Sequence, residues 1–258
     1  MTTKYDIIPP KSTGEKEWKH DNLPEPPFRL LIVSPSASGK TVLLSNLISG
    51  EQFPYAKYFG KNIFLFSSTF ALGDSSMQST TNLQEKNVFS TLDIDVLMGI
   101  VEDQQSIIMS YGKEKAPPIL LVLDDVAQML DHRAKETLKS LFFSMRHSKI
   151  SLILLIQSYK SIPRAMRINA TDLVFFAIAN TSERTCIAEE MPCDMHHFQS
   201  ILDNATSEKW SFLVVHNKNQ MDRRFQKRFT GSFYRIHKSH SRPRNTNGGM
   251  DDGTELAN

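Results

Sequence analysis

The 258-residue sequence predicts an α/β fold: a doubly wound, mostly parallel sheet that finishes in an antiparallel C-terminal β-hairpin. Three observations predict it. Apolar runs of strand length alternate with helical patterns from Phe28 to Phe229. Two of those runs, "PPILLVLDDV" and "ISLILLIQ", are apolar on consecutive positions, as strands covered on both faces require. The first strand also leads through a turn of small residues, "SPSASGKT", directly into a helical pattern.

Taken in order, residues 1–27 are polar, run into "PEPPF" and read as a loosely held lead-in. A single domain is expected over 28–236. "FRLLIV" is its first strand, and "KTVLLSNLI" is a helix stopped by Gly50. "KNIFLFSS" is the second strand, "STFALGDSSMQSTTN" a polar loop and "TLDIDVLMGIVEDQQ" a helix. After the strand "PPILLVLDDV", "HRAKETLKSLFFSMRH" carries Ala134, Leu138, Leu141, Phe142 and Met145 along one helical side. "ISLILLIQ" and "TDLVFFAI" are further strands, and "ERTCIAEEM" and "HHFQSILDNA" are shorter helices. "WSFLVVHN" and "RRFQKRFT" form the antiparallel pair, joined by a turn at "KNQMD". Residues 237–258, rich in Gly, Asn and Asp, are expected to be a disordered tail, first basic and then acidic.

Composition narrows the classes. At 40% apolar content the chain can bury a substantial core. It holds no run of about 18 or more apolar residues, so no membrane span is expected. Its first residues lack the apolar core of a secretory signal, which points to a cytoplasmic protein. The two cysteines, Cys186 and Cys193, fit a reducing compartment and, with His196 and His197, lack the close spacing of a zinc site. Charge is unevenly placed: Lys218 to Arg244 carry nine Lys/Arg against Asp222, whereas the whole chain is only +2. That asymmetry suggests a polyanionic partner.

The candidate site is built from three stretches. In "SPSASGKT", backbone N–H groups between Ser34 and Thr41 would curl around the phosphates of ATP at the start of a helix. Gly39 stands where a side chain would collide, Lys40 reaches the β- and γ-phosphates, and the Thr41 hydroxyl ligates Mg²⁺. Ser34 departs from the glycine that the loop pattern asks for, and is tolerable if its dihedrals need not be left-handed. Pro35 stiffens the exit, while Ser36, Ala37 and Ser38 are small enough to leave room. "ILLVLDDV" ends in Asp124, suited to the metal, and Asp125, suited to accept a proton from the attacking water. Gln157, at the tip of "SLILLIQ", can touch the γ-phosphate or orient the water.

With "RHSKISLILLIQSYKSIPRAMRINATDLVFF" added, this motif order resembles the FtsK–HerA superfamily of P-loop (ASCE-type) ATPases. Within it, the sequence looks most like the genome-packaging ATPases of poxviruses, large DNA viruses and virophages. The similarity covers roughly Phe28 to Phe229. The resemblance implies Lys40 and Thr41 as nucleotide and metal contacts, Asp124 and Asp125 as Walker B, and Gln157 as sensor. It implies Arg146 as a finger inserted into a neighbouring subunit's site, and the sensor strand lying between the strands of the loop and of the acidic pair. It also implies a homo-oligomeric ring acting on double-stranded DNA in host cytoplasm or viral factory, with a capsid or portal protein as a further partner.

For DNA, "DRRFQKRF" would place Arg224, Gln226 and Arg228 on one strand face, supplemented by Lys238, Arg242 and Arg244, with "SYKSIPRAMR" as a second candidate. "HNKNQMD" is no guanine-reading motif, since Gln220 takes its last position. Two rivals stay open: a small-molecule or nucleotide kinase, and a nucleotide-gated scaffold without turnover.

Overall fold

The computed structural model describes residues 18–68, 83–126 and 132–232. Among them a single sheet contains β1 (Arg29–Val33), β2 (Ile63–Ser67), β3 (Val88–Phe89), β4 (Ile119–Asp124), β5 (Ile150–Ile156), β6 (Asp172–Phe175), β7 (Leu213–His216) and β8 (Phe225–Lys227). The helices are α1 (Lys40–Ser49), α2 (Tyr55–Phe59), α3 (Ile94–Tyr111), α4 (His132–Ser144), α5 (Arg164–Asn169), α6 (Thr181–Glu189), α7 (Met195–Ala205) and α8 (Met221–Arg224).

The strand order is β3-β2-β4-β5-β1-β6-β7-β8. The pairs from β3 to β6 are parallel, and β6–β7 and β7–β8 are antiparallel. The expected doubly wound, mostly parallel sheet therefore forms, with β5 between β1 and β4.

Alternation along the strands explains both layers. Leu31, Leu121, Leu123, Leu152 and Leu154 point to one core with Leu97 of α3, Leu138 of α4, Ile187 of α6 and Phe198 of α7. Their neighbours Leu30, Ile32, Leu120, Val122, Ile153 and Leu155 point to the other, with Leu44 and Leu47 of α1 and Phe59 of α2. β4 and β5 are buried at every position, which is why their sequences read as unbroken apolar runs. Each such Leu or Ile contributes about 1.5–3 kcal/mol on burial, far more than a surface ion pair, so the sheet core fixes where the strand tips stand.

Two expectations change at the ends. From Trp18 onward the lead-in is packed rather than loose: the Trp18 ring stacks on Tyr55 at 5.7 Å, and the Tyr55 hydroxyl donates to the Pro24 carbonyl at 2.7 Å. The same indole meets Tyr58 of α2 edge-on at 5.8 Å, so the lead-in covers the helix's aromatic side chains. The C-terminal pair is antiparallel as expected, but helix α8 stands where the end of a turn and the start of a strand were expected, and β8 is only three residues long. The polar loop after β2 lies mostly, and the tail over 237–258 entirely, outside the described residues.

Candidate active site

β1 ends at Val33, paired with Ile156 of β5, and the next residue, Ser34, donates its N–H to the Ile156 carbonyl at 3.0 Å. The loop thus leaves the carboxyl edge of the sheet in register with the tip of β5. Ser34 is fully buried, and its hydroxyl meets the Ser38 hydroxyl and the Pro35 carbonyl. It takes no positive φ; the positive angles fall on Ala37 (60°) and Gly39 (101°). Ser34 therefore shapes the loop from inside. Ser36 and Ala37 are exposed, while Pro35, Ser38, Gly39 and Thr41 are half-buried around the start of α1.

Lys40, the first residue of α1, is 8% exposed and its ammonium lies 2.5 Å from Asp125 Oδ2 and 3.7 Å from Asp124 Oδ1. The two carboxylates reach it from the tip of β4, where Asp124 is paired with Leu155 of β5 and Asp125 turns away at φ 53°. Asp124 is 2% exposed and its Oδ2 accepts from the Ser67 hydroxyl at 3.0 Å, from the tip of β2. On the other side, exposed Gln157 offers Oε1 to the Ser36 hydroxyl at 3.4 Å. The loop, the acidic pair and the glutamine come together at one sheet edge, where ligands of open α/β sheets bind.

Arg146 stands elsewhere. It lies exposed in the one-turn 3₁₀ helix Met145–Ser148 ahead of β5, at the opposite edge. The seven residues of β5 alone span about 23 Å, so Arg146 does not reach the loop of its own chain. Its guanidinium is felt instead by Arg29, whose pKa burial lowers first and Arg146 lowers further.

The basic strand face expected at 224–228 does not form. Arg224 belongs to α8 and donates to the Asn219 carbonyl, Gln226 is 2% exposed, and Arg228 turns at φ 55° toward Glu208. A three-residue strand cannot carry five alternating positions. Lys238, Arg242 and Arg244 lie outside the described residues. In "SYKSIPRAMR", Arg167 is buried against Glu190 at 2.7 Å, leaving Lys160 and Arg164 outward.

Sequence reasoning missed three contributors. Ser67 was visible only as a polar strand end. Glu183 follows the cap residue Asn180 by three positions, as a capping partner does, yet its carboxylate accepts from Ser158 Oγ (2.6 Å) and the Tyr159 N–H (2.9 Å), clamping the segment after Gln157. Trp210, read from sequence as the first residue of a strand, lies before β7 begins at Leu213 and rests against Gly39.

A family model for the poxvirus A32 protein matches residues 15–222. The chain belongs to the poxvirus A32 protein family. DNA packaging protein OPG160 of vaccinia virus (strain Copenhagen) is 28% identical over 165 residues, covering 64% of this chain and 58% of that protein. The variola virus counterpart gives the same figures, and this family member thus spans under two thirds of the length of these curated relatives. Among solved structures, the DNA-packaging ATPase B204 of Sulfolobus turreted icosahedral virus superposes with a TM-score of 0.54 at 16% identity, over 79% of this chain and 97% of that one. EssC (ATPases 2 and 3) of Geobacillus thermodenitrificans also gives 0.54, at 15% identity over 83% of this chain and 40% of that one. These likenesses establish an A32-family chain on a P-loop ATPase fold.

Proposed function

We propose that this chain is an ATP-hydrolysing motor that drives double-stranded DNA, in the packaging of a viral genome into capsids. The observation that carries the reading is the cluster at the sheet edge: Lys40 at the head of α1, within ion-pair reach of Asp125 and Asp124, with Gln157 joined to the same loop through Ser36. In this reading the N–H groups of residues 34–41 and Lys40 hold the phosphates of ATP. Thr41 and Asp124 offer the hard oxygen ligands that Mg²⁺ takes, and the ion needs few carboxylates because phosphates and waters complete its shell. Mg²⁺, when bound, would neutralise charge on the phosphates. Asp125 accepts the proton of the attacking water, and Gln157 orients that water.

Relatives named for DNA packaging support the biological setting, and Arg146, exposed away from its own site, suits a finger offered to a neighbour in a homo-oligomeric ring. The motor unit is residues 28–236, with 237–258 as a basic-then-acidic extension; residues 18–27 pack onto it. Among the described residues no helix is long and apolar enough to cross a membrane. The proposed setting is host cytoplasm or viral factory, with a capsid or portal protein as partner.

The test is ATP hydrolysis by the purified full chain with and without duplex DNA. Turnover should require Mg²⁺, rise with duplex, and fall at least about 10³-fold in Lys40→Ala and Asp125→Asn. Wild-type rates in either variant would remove that residue from the mechanism. Phosphorylation of an acceptor without DNA would favour a kinase, and nucleotide binding without turnover a scaffold.

A further inference from the structure

We propose that Trp210 is the platform on which the base of the bound nucleoside triphosphate stacks; the inference rests on the nucleotide reading above and adds a base subsite to it. The topology brings Trp210 to the right edge. β7 runs antiparallel to β6, so the segment entering β7 at Leu213 arrives beside the end of β6, at the carboxyl edge where the phosphate loop lies. A methyl group replacing the Gly39 hydrogen would sit 3.1 Å from Trp210 Cε3 and 3.7 Å from Phe176 Cε1. The indole is therefore in contact range of the loop itself.

Three features set this ring apart from a packing aromatic. It is 53% exposed, whereas the large aromatics that fill the core are nearly all fully buried. Its backbone holds φ 64°, a region that bulky side chains rarely adopt and that gathers at functional sites. The Lys209 ammonium lies over the ring, 4.7 Å from its centroid, so positive charge covers one face and a base would stack on the other. Val42, three residues after Gly39 and so on the same side of α1, is 55% exposed and adds a second apolar surface. Phosphates gripped at the head of α1 leave sugar and base to project past the loop, toward the exposed side chains of Trp210 and Val42. A purine offers the larger face for stacking, so ATP and GTP should be held more tightly than CTP and UTP.

Calorimetry on the full-length chain with magnesium tests this, comparing ATP with inorganic tripolyphosphate. Trp210→Ala should weaken ATP about tenfold or more and leave tripolyphosphate unchanged, with Trp210→Phe recovering most of the loss. If Trp210→Ala binds ATP like the wild type, or loses both ligands equally, the subsite is wrong; equal loss would make Trp210 a prop for the loop through Gly39. If the wild type binds ATP no more tightly than tripolyphosphate, the base has no platform, though the phosphate loop stands. If it binds neither, the nucleotide reading itself fails. A second readout needs no truncation: the chain has two tryptophans, so Trp18→Phe leaves Trp210 alone. Its fluorescence should change with ATP and stay constant with tripolyphosphate; no change with ATP overturns the proposal.

Discussion

The turn between β1 and α1 bends on two positive φ angles, 60° at Ala37 and 101° at Gly39, while Ser34 keeps an ordinary backbone and is buried. Serine is tolerated at the head of the loop because the bend it would otherwise have to make is made three and five residues later. Its hydroxyl also closes a contact to Ser38 that glycine could not provide. Gly39 has no such latitude. At φ 101° an alanine pays the backbone cost of a left-handed L residue, about 1–3 kcal/mol, and its methyl group meets Trp210 at 3.1 Å. Gly39→Ala should therefore lower the thermal melting point and weaken ATP, while Ser34→Gly should leave ATP binding within about threefold, since glycine is what the loop pattern asks for. Calorimetry and a melting curve on both variants check this; an unaffected Gly39→Ala would show that the loop does not need that backbone.

At the scale of elements, what the sequence made legible was whatever periodicity and motif chemistry encode. β4 and β5 announced themselves as unbroken apolar runs because both faces are covered, and Asp124, Asp125 and Gln157 were legible as polar tips of those runs. Local pattern could not show what long-range packing decides. Residues 221–224 are helical although the end of a turn and the start of a strand were expected there, and Gln226 is buried although it was expected to face DNA. The Arg167–Glu190–Tyr159 cluster joins α5 to the end of α6 and the segment after Gln157, across more than twenty residues of chain, and no spacing rule predicts it. Burial pushes the Glu190 carboxyl up, but hydrogen bonds from Arg167 and Tyr159 and the charges of Arg167 and Arg164 outweigh it, leaving the pKa below the ordinary 4.5. A depressed carboxylate contributes stability above its unfolded pKa and loses it as pH falls through the folded value. Wild-type stability should drop on acidification below about pH 4.5, and Glu190→Gln, less stable near neutrality, should show a shallower drop. Melting curves across that range decide it; parallel curves for the two chains would show that Glu190 is not the group responsible.

For the whole molecule, the decisive geometry is the separation of two sheet edges. The phosphate loop, acidic pair and Gln157 stand at the carboxyl edge, and Arg146 is exposed at the amino edge, the length of β5 away. If Arg146 neutralises charge in the transition state, a second subunit must supply it, and hydrolysis becomes a property of the assembly. Mixing subunits exposes that dependence. Arg146→Ala keeps an intact site and lacks the finger; Asp125→Asn keeps the finger and lacks the base. Each alone should lose about 10³-fold or more in turnover. In rings assembled from equal amounts of both, about a quarter of interfaces pair an intact site with an intact arginine, so activity should return to a substantial fraction of wild type. A role within the same chain gives the opposite result, because no mixed subunit then has both groups. Absence of recovery in rings shown by native mass measurement to contain both variants, or wild-type turnover by Arg146→Ala alone, would remove the finger from this arginine and leave the exposed Arg133 and Arg164 to test next, Arg167 being buried against Glu190.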